Sequence, residues 1–87
     1  MRPMRDLPLR CPCCGLETLS ERGGFEICAV CSWEDDGQDD DDADEVFSGP
    51  NGGVSLTTGR ANYHALGTSR KPALPHVRPG SPDELPE

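Results

Sequence analysis

The residues with the clearest chemistry in this sequence are cysteines arranged in two short pairs. Cys11 and Cys14 form one pair, and Cys28 and Cys31 form the other, each with two residues between its cysteines. This spacing lets both thiolates of a pair reach one tetrahedral ion at about 2.3 Å. We predict that these four cysteines, hereafter the cysteine quartet, hold one structural Zn²⁺ ion.

The residues around the pairs favour the tight turns that such a site needs. Pro12 fixes φ inside the first pair, and Gly15 after it is able to adopt a positive φ. We expect each pair to form a metal-binding knuckle, with backbone N–H groups directed at the thiolates. A rubredoxin-like iron centre is the alternative, because four thiolates also suit iron and would make the protein an electron carrier.

The fifth cysteine, Cys13, lies inside the first pair. We interpret it as a spare, partly exposed thiol, the alternative being a reactive thiol with a lowered pKa. His64 and His76 are not needed by the metal. Four cysteines close a zinc site, and no serine, histidine and carboxylate constellation is visible, so we predict that the protein is not an enzyme.

The composition explains why a metal would be needed. The chain has 87 residues, of which 33% are hydrophobic and 5% aromatic, so one domain with a thin core is expected. Such small domains usually require a metal or disulfides. The odd number of cysteines and the absence of an apolar secretory run predict a reduced, cytoplasmic protein. No segment approaches the roughly 20 apolar residues of a membrane-spanning helix.

The net charge of the chain indicates which kind of partner it can bind. Eight basic and sixteen acidic residues give a formal net charge of −8. Nucleic acid would be repelled on average, so a protein partner, basic in character, is favoured. A nucleic-acid-binding zinc ribbon remains an alternative if the basic residues outside the acidic part of the chain gather on one face: Arg2, Arg5, Arg10, Arg70, Lys71 and Arg78. The sequence does not predict an oligomeric state.

Most of the acidic charge is concentrated in residues 34–45, hereafter the acidic segment. The spacing of an EF-hand loop is absent, so a solvated loop is favoured over a calcium or magnesium site, although a second cation stays open. As a functional surface, the acidic segment would receive a basic protein.

Local patterns predict the elements. Residues 16–19 and 25–28 alternate between apolar and polar side chains, and the glycine-containing residues 20–24 between them favour a turn, which together predict a β-hairpin. Residues 54–67 predict a helix capped by Ser55 and ended by Gly67. Gly59 inside it costs about 1 kcal/mol relative to alanine.

We therefore predict a small metal-stabilised α+β fold, a zinc-ribbon-like hairpin with two CxxC knuckles plus one C-terminal helix. Trp33 would cover the metal site. Residues 1–9 are expected to be an irregular lead-in, residues 10–67 the zinc-binding domain, and residues 68–87 a proline-rich tail that is extended or disordered.

Longer stretches of the sequence are similar to a known family. The matching stretches are Cys11-Pro12-Cys13-Cys14-Gly15, residues 21–28, Cys31-Ser32-Trp33-Glu34-Asp35-Asp36-Gly37-Gln38-Asp39, residues 49–53, Ser55-Leu56 and Ala61-Asn62-Tyr63, with a weaker likeness at residues 74–79. They resemble the bacterial cysteine-rich CPCC family. The resemblance implies a short zinc-binding protein of bacterial type and carries no established activity; a protein-binding or accessory role, including an immunity-like one, is our expectation.

Overall fold

Regular secondary structure is sparse in this protein. The computed structural model describes residues 8–47 and 49–85. Two short antiparallel strands, β1 (Leu9–Arg10) and β2 (Glu17–Leu19), flank the first cysteine pair, and α1 (Leu56–Leu66) is the α-helix of the described chain. Three short 3₁₀ helices complete the described elements: Asp40–Asp42, Lys71–His76 and Pro82–Glu84. One strand pair and one helix agree with the predicted small α+β class, whereas residues 1–7 of the expected lead-in lie outside the described residues.

The two cysteine pairs adopt the same local geometry. Gly15 N donates to Cys11 O at 2.9 Å, and Ser32 N donates to Cys28 O at 2.8 Å. The residue after each pair has a positive φ, 80° at Gly15 and 67° at Ser32. Glycine adopts that conformation without strain, whereas serine is rarely found there. The chain therefore builds two equivalent turns, hereafter the first loop (residues 11–14) and the second loop (residues 28–31).

The strand pairing differs from the predicted hairpin. β2 pairs with β1 across the first loop, with Leu9 opposite Leu19. The chain around the second loop closes separately, through the bridge between Ile27 and Glu34. Each cysteine loop is thus closed by backbone pairing between the residues on either side of it. Residues 17–19 and 26–28 are therefore not paired with each other through their backbones.

Side chains nevertheless hold the two predicted strands next to each other. Thr18 Oγ1 lies 3.0 Å from Cys28 Sγ, and Ser20 N donates to Glu26 Oε1 at 2.9 Å. These contacts have the order of an antiparallel pair. The alternation in the sequence correctly predicted the neighbours, but the link between them is made by side chains.

The predicted helix is confirmed, with both of its caps. Ser55 Oγ accepts a hydrogen bond from Thr58 N at 3.1 Å, and Gly67 ends the helix with a φ of 81°. Leu56 and Gly59 are its buried positions. An 11-residue helix is marginal in water, so α1 depends on packing against the rest of the protein.

Gly59 is the point of closest approach between α1 and the core. A Cβ atom at this position would lie 3.0 Å from Cζ3 of Trp33 and 3.5 Å from the sulfur of Cys13. Trp33 is fully buried in the same cluster as the buried cysteines and Leu56. The glycine that weakens the helix locally thus allows it to rest on the tryptophan.

Replacing Gly59 with alanine is expected to lower the free energy of unfolding, although alanine has a higher helix propensity than glycine. The added methyl group improves propensity by about 1 kcal/mol but overpacks the contact with Trp33 at a cost of about 1–3 kcal/mol. Denaturant unfolding of Gly59→Ala, with Ala65→Gly measuring the propensity effect alone at an exposed site, checks this. A Gly59→Ala protein more stable than wild type would contradict the packing argument.

Two further parts of the fold were not expected from the sequence. Asn51, within residues 49–53, is buried, and its amide accepts from Glu34 N and donates to Glu34 O, both at 2.8 Å. Its side chain thus pairs with a strand edge as a neighbouring strand would.

The start of the proline-rich tail is also packed. Thr68 and Ser69 are fully buried, and Ser69 N donates to Cys31 O at 2.8 Å. Gly80 lies against Leu16, and the 3₁₀ helix Pro82–Glu84 contacts β2. Residues after 67 therefore contact the second loop and β2.

Candidate metal centre

The two loops bring the sulfur atoms of the cysteine quartet together. All four sulfur atoms lie within 4.8 Å of one another. The sulfurs of Cys11 and Cys31 are 3.6 Å apart, and those of Cys14 and Cys28 are 3.8 Å apart. Cys14 is partly buried and the other three are buried. The quartet predicted from the spacing of the pairs is thus assembled in space.

These distances suit a tetrahedral ion. Four sulfurs placed about 2.3 Å from one zinc ion would lie about 3.8 Å from each other. The two cross-loop distances of 3.6 Å and 3.8 Å agree with that value. Every cysteine is a free thiol. The donor set therefore fits one metal ion bound by four thiolates, with two ligands from each loop.

The protonation of the quartet follows from its crowding. Hydrogen bonds from Cys11, and then from Cys14 and Cys31, hold the pKa of Cys28 well below its usual range. The hydrogen bonds that Cys11 shares with Cys14 and Cys28 raise the pKa of Cys11 well above its usual range. The cysteines that keep their protons must lose them before they can bind a metal. A divalent ion would displace those protons and remove the repulsion between thiolates.

Two side chains near the quartet have roles that the sequence did not reveal. The hydroxyl group of Thr18 is placed to donate to the sulfur of Cys28, which stabilises a thiolate there. Cys13 is only 4% exposed, although we expected a partly exposed thiol. Its side chain is directed under α1, close to Trp33 and Gly59, so it contributes to the core.

The comparisons with known proteins identify one family. A model of the family described as cysteine-rich CPCC matches residues 9–84. The match contains both loops, the acidic segment and α1. The chain belongs to the cysteine-rich CPCC family. No curated protein and no solved structure shows a significant match.

The acidic segment of this CPCC protein is not a uniformly solvated loop. Asp35 is completely buried, and its carboxylate accepts from Arg22 Nε at 2.9 Å, Gly23 N at 2.7 Å and Gly37 N at 3.2 Å. Gln38 is also buried, and its amide donates to two backbone carbonyl oxygens of the same segment. Five carboxylates remain exposed at the surface and form what we call the acidic face: Asp39, Asp40, Asp41, Asp44 and Glu45.

Two arginines attach the acidic face to the rest of the CPCC fold. Arg22 pairs with both Asp35 and Asp39, and Arg60 of α1 pairs with Asp40 at 2.7 Å. The other end of the Arg60 guanidinium donates to Pro12 O in the first loop at 2.8 Å. One side chain therefore joins the first loop, the helix and the acidic face.

Other predicted candidates do not join the site. Among residues 8–47 and 49–85, the quartet is the one group of three or more histidine, cysteine or carboxylate ligands that converges, so the acidic segment does not assemble a cation cage there. His64 lies on the surface next to Tyr63, and His76 is exposed. In the same described part of this CPCC protein, no helix is both long enough and apolar enough to cross a membrane.

Proposed function

We propose that this protein is a small binding module whose fold is maintained by one structural zinc ion and whose acidic face recognises a basic protein. The observation that carries the first half is the enclosure of the quartet. Three of its four cysteines are buried, and the sulfur distances match a closed tetrahedral site. A catalytic zinc ion keeps one position open for water or substrate, whereas four thiolates occupy every position.

The energetic balance supports a structural role for the ion. Structural zinc binding in small zinc-finger peptides contributes on the order of 10–16 kcal/mol, and this is folding free energy. A whole domain is stable by only about 5–15 kcal/mol. The large side chains that are fully buried here include few hydrophobic ones: Trp33, Leu19, Leu56 and Val30. A core of this size needs the metal.

The rigidity and charge of the acidic face support the second half. Arg22 and Arg60 pair with Asp39 and Asp40, and the buried Gln38 binds the backbone oxygen of Glu45, so the face is attached to the rest of the fold. The formal charge of −8 attracts a cationic partner over a long range. Preorganised charge of this kind increases the association rate and the specificity for an oppositely charged surface. An immunity-like or other accessory role would use the same face.

Elemental analysis and binding measurements test the two halves separately. The purified protein should be colourless and contain one zinc ion per chain, whereas a coloured, iron-containing protein would indicate the electron-carrier alternative. Binding to a basic protein should weaken as salt is added, because salt screens exposed charges. Salt-independent binding, or none at low salt, would contradict recognition by the acidic face.

The nucleic-acid alternative has less support from the described residues. It requires the six basic side chains named above on one face, and one of them, Arg78, is paired with Glu84 of the same chain. Arg2 and Arg5, which that hypothesis also needs, lie outside the described residues. A mobility-shift assay at low salt should show no retardation of nucleic acid, and retardation would favour this alternative over a protein partner.

A further inference from the structure

The contacts of α1 link the cysteine quartet to the acidic face. At the first loop, Arg60 Nε donates to Pro12 O at 2.8 Å. At the second loop, Cys31 O accepts from Ser69 N at 2.8 Å, and Asn62 of α1 in turn donates to Ser69 O at 2.9 Å. The helix is therefore attached to both loops, and each loop supplies two members of the quartet.

The N-terminal turn of α1 supports the acidic face directly. Thr57 N donates to Ala43 O at 2.9 Å, and the Thr57 hydroxyl donates to the Asp44 carboxylate. Arg60, one turn later, pairs with Asp40. The positive end of a helix also stabilises nearby carboxylates. The arrangement of the acidic face thus depends on α1 being folded in place.

The helix has little stability of its own. It has 11 residues, contains a glycine in its interior, and buries only Leu56 and Gly59. Helices of this length are marginal when isolated in water. Since its buried positions rest on the residues around the quartet, opening of the two loops would release it. Loss of the metal would therefore remove the support of the helix and, with it, the arrangement of the acidic face.

We propose that metal occupancy of the quartet and protein binding at the acidic face are coupled through the docking of α1. This regulation rests on the proposed function of the acidic face. The metal closes the loops, the loops dock α1, and the docked helix fixes the carboxylates in their binding arrangement. Such coupling is reciprocal, so a basic partner bound at the acidic face also increases the affinity of the quartet for its metal.

A binding experiment on the full-length protein tests the coupling. The probe is a fluorescent octalysine peptide, titrated by anisotropy at low salt against the zinc-loaded protein and against protein freed of metal by a chelator. We expect the dissociation constant to be about tenfold lower for the loaded form, within the roughly 5–150-fold range typical of allosteric coupling. Equal affinity in both forms would overturn the coupling and leave the proposed function intact. Binding to neither form would reject both.

Two variants test the role of α1 without changing the charge of the metal site. Leu56→Ala weakens the docking of α1 and changes neither a charge nor a cysteine, and Ser55→Ala does so more mildly by removing the helix cap. Their zinc-loaded forms should bind octalysine several-fold more weakly than wild type, with faster hydrogen exchange in residues 39–45. Ala65→Ser, at an exposed helix position, is the control. Wild-type affinity in both docking variants would contradict the role of α1.

The reciprocal measurement uses the metal as the readout. Competition against a chromophoric chelator gives the zinc affinity of the wild-type protein with and without saturating octalysine. The affinity should increase with the peptide by the same factor that zinc increases peptide binding. An unchanged zinc affinity would overturn the coupling even if the peptide binds tightly.

Discussion

Replacing Cys28 with serine is expected to abolish both metal binding and the cooperative fold. Cys28 supplies one of the four sulfur atoms of the quartet, and that sulfur lies 3.0 Å from Thr18 Oγ1. A serine hydroxyl group stays protonated at neutral pH and is a poor ligand for zinc. Loss of the metal removes a contribution comparable to the whole stability of a small domain. Zinc stoichiometry and far-UV circular dichroism of Cys28→Ser report the two effects.

The matched control is Cys13→Ser, which changes a cysteine in the same loops that is not part of the quartet. It should retain one zinc ion per chain. Because Cys13 is buried against Trp33 and Gly59, its replacement places a hydroxyl group in the core and should lower the free energy of unfolding by about 1–3 kcal/mol. A Cys13→Ser protein without metal, or a Cys28→Ser protein with it, would show that the quartet is wrongly chosen.

The second large effect is expected at Asp35. Its carboxylate is completely buried and satisfies Arg22 and two backbone N–H groups, so Asp35→Ala leaves three donors without their acceptor. Arg22 is partly exposed and regains some hydration, which moderates the loss. We expect the free energy of unfolding to fall by about 2–3 kcal/mol, measured by denaturant titration with zinc in excess.

Asp41 provides the control for that experiment. It belongs to the same acidic segment but is exposed. Asp41→Ala removes the same charge from the protein and should change the free energy of unfolding by no more than about 0.5 kcal/mol. If the two variants were equally stable, Asp35 would contribute only its charge and not the hydrogen bonds described above.

The parts of the structure that the sequence predicted are those determined by local chemistry. The quartet follows from the two-residue spacing within each pair, and the ends of α1 follow from a serine cap and a glycine at positive φ. Both signals depend on a few adjacent residues. The general position of the strands is also local, since it depends on alternation.

The parts that the sequence did not predict depend on contacts between distant residues. The alternating pattern of residues 17–19 is compatible with pairing to residues 25–28 or to β1. Closure of the first loop selects β1 as the partner. The burial of Asp35 depends on Arg22, and the position of Arg60 depends on Pro12, 48 residues earlier. In the acidic segment, charge density predicts solvation, whereas a buried carboxylate with a full set of partners is an exception that only the tertiary structure reveals.

Removal of the metal tests most directly whether a bound ion stabilises this fold. The zinc-loaded protein is treated with excess chelator, and its circular dichroism and Tm are followed before and after zinc is returned. We predict that the helical signal and the cooperative transition are lost on chelation and recovered when one equivalent of zinc per chain is added. A metal-free protein with the same spectrum and the same Tm would contradict the claim that the thiolate-bound ion stabilises this fold.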